Sequence, residues 1–252
     1  MRTHGHPLGI DVGGSGIKGG PVDLATGQLT TKRLRIPTPQ PSTPEAVAQV
    51  VDQIVDQFAA ETEGAAIGVT VPGIVVRGTV LSAANIDPTW LGVDAAALIQ
   101  QHTGRSVTVL NDADAAGVAE LHYGAARGVS GLVILTTLGT GIGSAVIHDG
   151  VLIPNSELGH LEMDGQPAEK LAAASIKEIE GLTYEEYIPR LQRYYSMLER
   201  LFSPDLLIVG GGISKESELF LPFLHLRAPI VPAQLRNRAG IIGAARYASD
   251  HA

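Results

Sequence analysis

A chain of 252 residues that is 44% hydrophobic is long enough to bury one large core or two, with no need of disulfide or metal staples. Its formal net charge of −8 excludes a generally basic nucleic-acid-binding surface, and its zero cysteines exclude disulfides, thiolate zinc sites and cysteine nucleophiles. Met1 to Pro7 lacks the apolar core of a signal peptide and no run of about 18 apolar residues follows, so the expectation is a soluble cytoplasmic protein with no membrane partner.

Residues 8–36 read as three consecutive strands: Leu8 to Val12, Ile17 to Asp23, and Gln28 to Ile36 after an Ala25-Thr26-Gly27 turn. Between the first two lies Gly13-Gly14-Ser15-Gly16, flanked by Asp11 and Lys18. Such a turn exposes several backbone N–H groups. Without Cβ atoms it admits an anion closely and tolerates positive φ, and Ser15 adds a hydroxyl. A dinucleotide loop should open a helix, but Gly19-Gly20-Pro21 follows, and no Gly-Lys-Ser/Thr run of a P-loop occurs anywhere. An ordinary tight hairpin without a ligand is the plain alternative.

Pro37 to Pro41 must be loop, and Thr43-Pro44-Glu45 announces a helix whose apolar residues keep helical period to about Ala60. There follow a strand from Ala66 to Val71, Pro72-Gly73, a short hairpin around Arg77-Gly78, the segment Asn85 to Trp90, a helix near Val93 to His102, and a strand Val107 to Leu110. This alternation predicts a layered α/β lobe.

The second half repeats the grammar. Asp112 to Ala126 reads as a helix, and Leu132 to Thr136 with Gly143 to Ile147 as a hairpin around Gly139-Thr140-Gly141, with Gly143, Thr140 and Ser144 assigned to the same anion-holding turn. Two phosphate-cradling turns facing each other would suit phosphoryl transfer. A strand from Val151 to Pro154 and a helix from Ala168 to about Glu180 come next. Thr183 to Phe202 is helical with Tyr187, Leu191, Tyr194, Tyr195, Leu198 and Leu201 on one packing face, and Pro189 in its first turns or at a kink. A buried-type strand, Leu206 to Val209, runs into Gly210-Gly211-Gly212, and Gly240 to Ser249 forms a final helix.

Phosphoryl transfer to a hydroxyl needs a proton acceptor, and a carboxylate at the C-terminal end of a strand is well placed to serve. Asn111-Asp112 stands there, although an Asn-Asp pair before a helix is also an N-cap, and each residue can take one role. Glu157, His160, Glu162, Asp164 and Glu169 form a second polar cluster, suited to accepting hydrogen bonds from several sugar hydroxyls. A solvated loop is the alternative there, and a metal site from His160 with Glu157 or Glu162 has no recognised spacing.

Gly9-Ile-Asp-Val-Gly-Gly-Ser-Gly-Ile-Lys18, Val71-Pro-Gly73, Asn85 before Trp90, Asn111-Asp-Ala-Asp-Ala-Ala116, Leu138-Gly-Thr-Gly-Ile-Gly143, Glu157-Leu-Gly-His160 and Leu207-Ile-Val-Gly-Gly-Gly-Ile-Ser214 together resemble the ROK sugar kinases, in order along nearly the whole chain. Within that family the chain is most similar to the short bacterial polyphosphate glucokinases and polyphosphate/ATP glucomannokinases. The resemblance implies an α/β, two-lobed actin/hexokinase/Hsp70-like (ribonuclease H-like) fold with a cleft. Residues 1–110 would form a small lobe to which a C-terminal helix, 240–252, returns, and residues 111–239 a large one. It implies transfer of the terminal phosphoryl group of inorganic polyphosphate, and of ATP as a further donor, to the 6-hydroxyl of glucose, with mannose as another candidate acceptor.

Asp112 would be the general base, with Asn85, Asn111, Glu157, His160 and Glu169 on the sugar. Asp11, Gly13, Gly14, Ser15, Gly16 and Lys18, with Gly139, Thr140, Gly141 and Gly143, would hold phosphate, and Gly210, Gly211 and Gly212 a nucleotide. Mg²⁺ accompanies such a donor, with Asp11 as its nearest candidate ligand. Lys32, Arg33, Arg236 and Arg238 are candidates for a polyphosphate groove or plain surface charges. Many members of the family carry a cysteine-rich zinc loop that includes the position of His160, so a cysteine-free chain is expected to hold no structural zinc and to release His160 to sugar. The helix-turn-helix of the family's repressors has no counterpart before Leu8, and a homodimer is implied. An ATP-dependent hexokinase for mannose or another hexose, a non-catalytic sugar sensor, and an actin-like ATPase remain as rival readings.

Overall fold

The computed structural model describes residues 5–83 and 86–252, and the chain divides into two compact units, Met1–Ala119 with Arg238–Ala252 and Glu120–Asn237. In the first unit, β1 (Leu8–Gly13) and β2 (Gly16–Asp23) form an antiparallel hairpin in which Gly13 pairs with Gly16, leaving Gly14 and Ser15 as the turn. The short strands β3 (Gln28–Leu29) and β4 (Leu34–Ile36) both pair with β2. Helix α1 (Pro44–Gln57) starts where Thr43 caps it, its hydroxyl accepting from Ala46 N at 3.4 Å. Beyond it lie β5 (Ile67–Val71), the small hairpin of β6 (Val75–Val76) and β7 (Thr79–Val80), α2 (Ala95–Thr103) and β8 (Val107–Asn111).

The sheet runs β3-β2-β1-β5-β8, with β5 parallel to both β1 and β8. Every residue of β5 is buried, because helices cover both faces of the sheet. Ile54 of α1 packs on the face of Ile10 and Gly19, while the C-terminal helix, Ala239–Asp250, lies on the opposite one. There the helix approaches so closely that a Cβ on Gly68 would sit 1.9 Å from Ala244 O, so only glycine fits.

Helix α3 (Asp112–Tyr123) begins in the first unit and ends in the second. The second unit's sheet is built from β9 (Leu132–Leu138), β10 (Ile142–His148) and β11 (Val151–Ile153), joined antiparallel in sequence. The hairpin of β12 (Glu162–Met163) and β13 (Gln166–Pro167) leads to α4 (Glu169–Ala172), α5 (Ala174–Glu180) and α6 (Tyr184–Phe202). Strands β14 (Leu206–Gly210) and β15 (Ile230–Pro232) then extend the sheet in parallel, giving the order β11-β10-β9-β14-β15. Thr183 and Glu186 form a reciprocal capping box at the start of α6, and Tyr187, Leu191, Tyr194, Tyr195 and Leu198 are fully buried in this unit's core. Each sheet thus sets an antiparallel, glycine-turned hairpin beside parallel strands.

Some expectations need correction. Gln28 to Ile36 is not one strand: the polar run Thr30 to Arg33 separates β3 from β4, and Thr30 N–H donates to Pro21 O at 3.0 Å. Ala168 to Glu180 is two helices, broken where Ala173 is extended (φ −66°, ψ 152°). Helix α3 stops at Tyr123, three residues short of Ala126. The fully buried Glu120 carboxylate accepts from Ala125 N and from Leu235 N, both at 2.7 Å, and fixes the chain as it leaves the helix. Leu201 is 56% exposed rather than part of the packed face of α6. Strand β15 carries no strand signal in the sequence, because Pro229 precedes it and Pro232 ends it; the structure places it at the sheet edge, where proline is tolerated. The division between units falls after Ala119 rather than Leu110, because Leu110 and Ala115 pack with Ala244 of the C-terminal helix.

Candidate active site

The first glycine turn is clamped through its carbonyls. Thr38 Oγ1 donates to Gly13 O, and Arg35 Nη2 donates to Ser15 O at 2.8 Å and reaches Ser15 Oγ at 3.5 Å. Carbonyls that would repel an anion are therefore held by the protein. Apart from Gly14 itself and its chain neighbours, no described atom lies within 4 Å of where a Cβ on Gly14 would be. Neither Gly13, Gly14 nor Gly16 adopts positive φ, so the expected left-handed backbone is absent from this turn, and glycine there supplies space. Asp11 is held beside the turn: Thr70 Oγ1 donates to its Oδ1 at 3.1 Å, and Lys18 Nζ lies 3.5 Å from its Oδ2. Much of the Lys18 charge is therefore already met by Asp11.

In the second unit Gly139, Thr140 and Gly141 alone form the loop between β9 and β10, while Gly143 sits within β10 opposite Thr137. Ser175, in the first turn of α5, grips this loop with N–H to Gly139 O (3.0 Å) and hydroxyl to Thr140 O (2.7 Å). The Cβ position of Gly139 is open, and Gly139 also lacks positive φ. Gly211 is different. At φ +81° its Cβ would stand 2.2 Å from Leu138 O, so the Gly210-Gly211-Gly212 bend is pressed against the strand end that carries the second turn. Ser144 is no phosphate donor: only 2% exposed, it donates to Ser156 O at 2.6 Å and accepts from Leu158 N at 2.9 Å, and so fixes the segment bearing Glu157 and His160.

Three members of the polar cluster gather in that unit. Glu169, the first residue of α4, accepts from Ile142 N at 3.3 Å, and its other oxygen lies 3.8 Å from His160 Nε2. Burial pushes the Glu157 carboxyl above its ordinary value; nearby His160 opposes the shift and Glu169 adds to it. The exposed Asp164 instead pairs with Arg193, away from this grouping. Among the described residues no three His, Asp or Glu side chains gather as a metal site, and no helix is long and apolar enough to cross a membrane.

The Asn111-Asp112 pair divides its work. Asn111, 8% exposed, caps α3 by accepting from Ala113 N (2.7 Å) and Asp114 N (3.1 Å), while its amide donates to Gly73 O at 3.0 Å and so fixes the Val71-Pro72-Gly73 bend. Asp112 follows as the first helical residue, partly exposed, its Oδ1 sharing the Ala113 N–H at 2.8 Å. Asn85 lies outside the described residues. Sequence reasoning missed Arg35, Thr38, Thr70 and Ser175, which reach the turns and Asp11 from 20 to 59 positions away through sheet register and loop packing.

A model of the ROK family matches residues 7–173. The polyphosphate glucokinase of Mycobacterium tuberculosis is 52% identical over 244 residues, which are 96% of this chain and 91% of that protein. The crystal structure of an inorganic polyphosphate/ATP-glucomannokinase from Arthrobacter sp. strain KM superposes with a TM-score of 0.94 at 55% identity, covering 99% of this chain and all of that one. A ROK family glucokinase from Streptomyces griseus, solved with glucose and AMPPNP, gives a TM-score of 0.82 at 26% identity, covering 98% of this chain and 100% of that one. With its two large sheets, its clamped glycine turns and its likeness to these kinases along nearly its whole length, this chain belongs to the ROK family and has its two-lobed, hexokinase-like fold.

Proposed function

We propose that this protein is a polyphosphate glucokinase: it transfers the terminal phosphoryl group of inorganic polyphosphate to the 6-hydroxyl of glucose, giving glucose 6-phosphate. The observation that carries the reading is a pair of glycine turns, each clamped on its carbonyl side and open over its leading glycine, Gly14 or Gly139, in a chain 52% identical to a polyphosphate glucokinase. Transfer through a loose transition state asks the protein mainly for positioning and charge neutralisation, which backbone N–H groups and fixed cations supply.

In this reading Asp112 accepts the proton of the attacking hydroxyl. Glu157, His160 and Glu169 take hydrogen bonds from other sugar hydroxyls, and Asn111 acts chiefly by holding Asp112 and the Gly73 bend in place. Gly13, Gly14, Ser15, Gly16, Gly139, Thr140 and Gly141 hold phosphate. Gly210 to Gly212 border a nucleotide when ATP is the donor, a role supported by the ATP named for the Arthrobacter relative and by the packing of Gly211 on Leu138. Mg²⁺ would neutralise donor oxygens, and Asp11, a lone carboxylate fixed beside the first turn, fits the sparse protein ligation this ion favours. Mannose as a second acceptor, a homodimer and a cytoplasmic location complete the proposal.

The test is direct. The purified protein is incubated with glucose and Mg²⁺ plus either polyphosphate or ATP, and glucose 6-phosphate is measured. Product from polyphosphate supports the assignment, product from ATP alone replaces it with an ATP-dependent hexokinase, and product from neither overturns the kinase reading.

A further inference from the structure

One cation at the first glycine turn has so far served only to hold the Ser15 carbonyl. Lys18 pairs with Asp11 across β1 and β2 and with Arg35 across β2 and β4, so the three side chains form a row on one face of the sheet. Gly16, two residues before Lys18, shares that face. A Cβ there would stand 2.6 Å from Arg35 Nε and 2.7 Å from both Cζ and Nη2, so the guanidinium lies across the turn in the space glycine leaves. The two cations of the row differ in their partners. Lys18 meets the Asp11 carboxylate at 3.5 Å, whereas the exposed Arg35 has no carboxylate partner among the described residues and contacts only the Ser15 carbonyl and hydroxyl.

A guanidinium carries five N–H donors, stays charged at any working pH, and matches phosphate in a two-pronged geometry that an ammonium does not offer. Among the described residues only Nη2 of Arg35 is engaged. The net positive charge of the Asp11-Lys18-Arg35 row therefore resides at the guanidinium, which lies over Gly16 and beside Ser15 of the turn. We propose that Arg35 is a donor-binding residue that holds the phosphate chain of polyphosphate at the first glycine turn. The assignment deepens the polyphosphate glucokinase reading and rests on it.

The experiment compares wild type with Arg35→Ala and Arg35→Lys. Steady-state rates are measured with a long inorganic polyphosphate and with ATP over a range of salt, alongside direct binding of the same polyphosphate to glucose-free protein by calorimetry. Arg35→Ala is expected to raise the polyphosphate KM and weaken direct binding by about 10- to 100-fold, the size of a lost charge-assisted phosphate contact. The slope of log KM against log salt should become shallower by roughly one, while the glucose KM stays unchanged. Arg35→Lys, which keeps the charge but loses the fork, should keep the wild-type slope and recover part of the affinity.

Unchanged polyphosphate KM and binding in Arg35→Ala would overturn the assignment. So would a fall in kcat equal for both donors with an unaltered salt slope, which marks a mere support of the Ser15 carbonyl. Should Arg35→Ala not fold, Arg35→Gln carries the same comparison. A wild-type protein that makes no glucose 6-phosphate from polyphosphate fails the functional reading; an active wild type with an indifferent Arg35 fails this inference alone.

Discussion

Replacing Gly139 by alanine separates a glycine kept for a ligand from one kept for the fold, and Gly211 in the same unit is its control. Gly139 has no positive φ and nothing within 4 Å of its Cβ position. A methyl there disturbs no protein atom and restricts the unfolded chain, so Gly139→Ala should stabilise by about 0.4–1 kcal/mol. That corresponds to a rise in Tm of roughly 1–4 °C for a chain of this size. Gly211 sits at φ +81°, with its Cβ position 2.2 Å from Leu138 O and 2.7 Å from Leu138 N. Those contacts are backbone and cannot rotate away, so left-handed strain and overpacking together should cost about 2 kcal/mol or more. Urea unfolding followed by near-ultraviolet dichroism reads both variants, because the buried tyrosines 187, 194 and 195 belong to this unit. Activity should invert the order of merit. If the proposed phosphate role of Gly139 holds, the methyl of Gly139→Ala takes the space of the phosphoryl group, and a displacement of that size should lower kcat/KM for either donor by about 10²-fold. A Gly139→Ala protein that is destabilised, or one that turns over normally, would refute the argument that an approaching anion is the reason for glycine at this position.

Asp112→Asn should lower kcat by roughly 10²–10⁴-fold and leave glucose binding, measured by calorimetry, nearly unchanged; near-normal turnover removes Asp112 from the base role. Burial raises the Glu157 pKa above 4.5, so the stability this carboxyl contributes is fully present below pH 4.5 and is lost as pH rises through the raised value. Glu157→Gln should therefore equal or exceed wild type in urea stability at pH 7–8, with the gap closing as pH falls below about 4.5, while its glucose KM rises; a variant less stable at neutral pH contradicts the assigned cause. Tyr195 and Thr136 hydroxyls meet at 2.8 Å in the core, so Tyr195→Phe should cost about 1–3 kcal/mol. The Tyr194 hydroxyl is buried without a partner among the described residues, so Tyr194→Phe should leave stability unchanged or raise it, and equal losses in the two variants would refute this accounting.

What could be read from the sequence was whatever a local pattern dictates. Thr43-Pro44-Glu45 started α1 as read, because an N-cap, a proline at the first position and an early acid all act within one turn. The strand-turn-strand pattern around each glycine run was legible for the same reason. Asn111 as a cap followed from its place between a strand and a helix, although the sequence left open which of Asn111 and Asp112 would serve. Interactions set by register were invisible. Arg35 reaches Ser15 only because β4 pairs with β2, and Ser175 reaches Gly139 only because the chain breaks at Ala173 and restarts as α5. Ser144 illustrates the converse error: its closeness in sequence to Gly143 suggested a phosphate contact, but strand alternation turns it inward, where it is 2% exposed.

The clamps, more than the glycines, would suit these hairpins to the anion-binding role proposed for them. Any tight turn presents carbonyls as well as N–H groups, and a phosphoryl oxygen is repelled by the first as much as it is drawn to the second. Side chains that take up the carbonyls change that balance, and the two turns do it differently. Arg35 and Thr38 hold Ser15 O and Gly13 O, which gives the first turn a formal positive charge. Ser175 holds Gly139 O and Thr140 O with uncharged groups, and the adjacent Ile142 N–H is spent on the Glu169 carboxylate, so the second turn offers dipoles beside a negative charge. A long polyanion gains most where a cation and open backbone coincide, which is the first turn. Ser175→Ala should accordingly weaken both donors by a similar modest factor without changing the salt dependence of either, and a steeper or shallower salt slope in that variant would show that the charge is placed elsewhere.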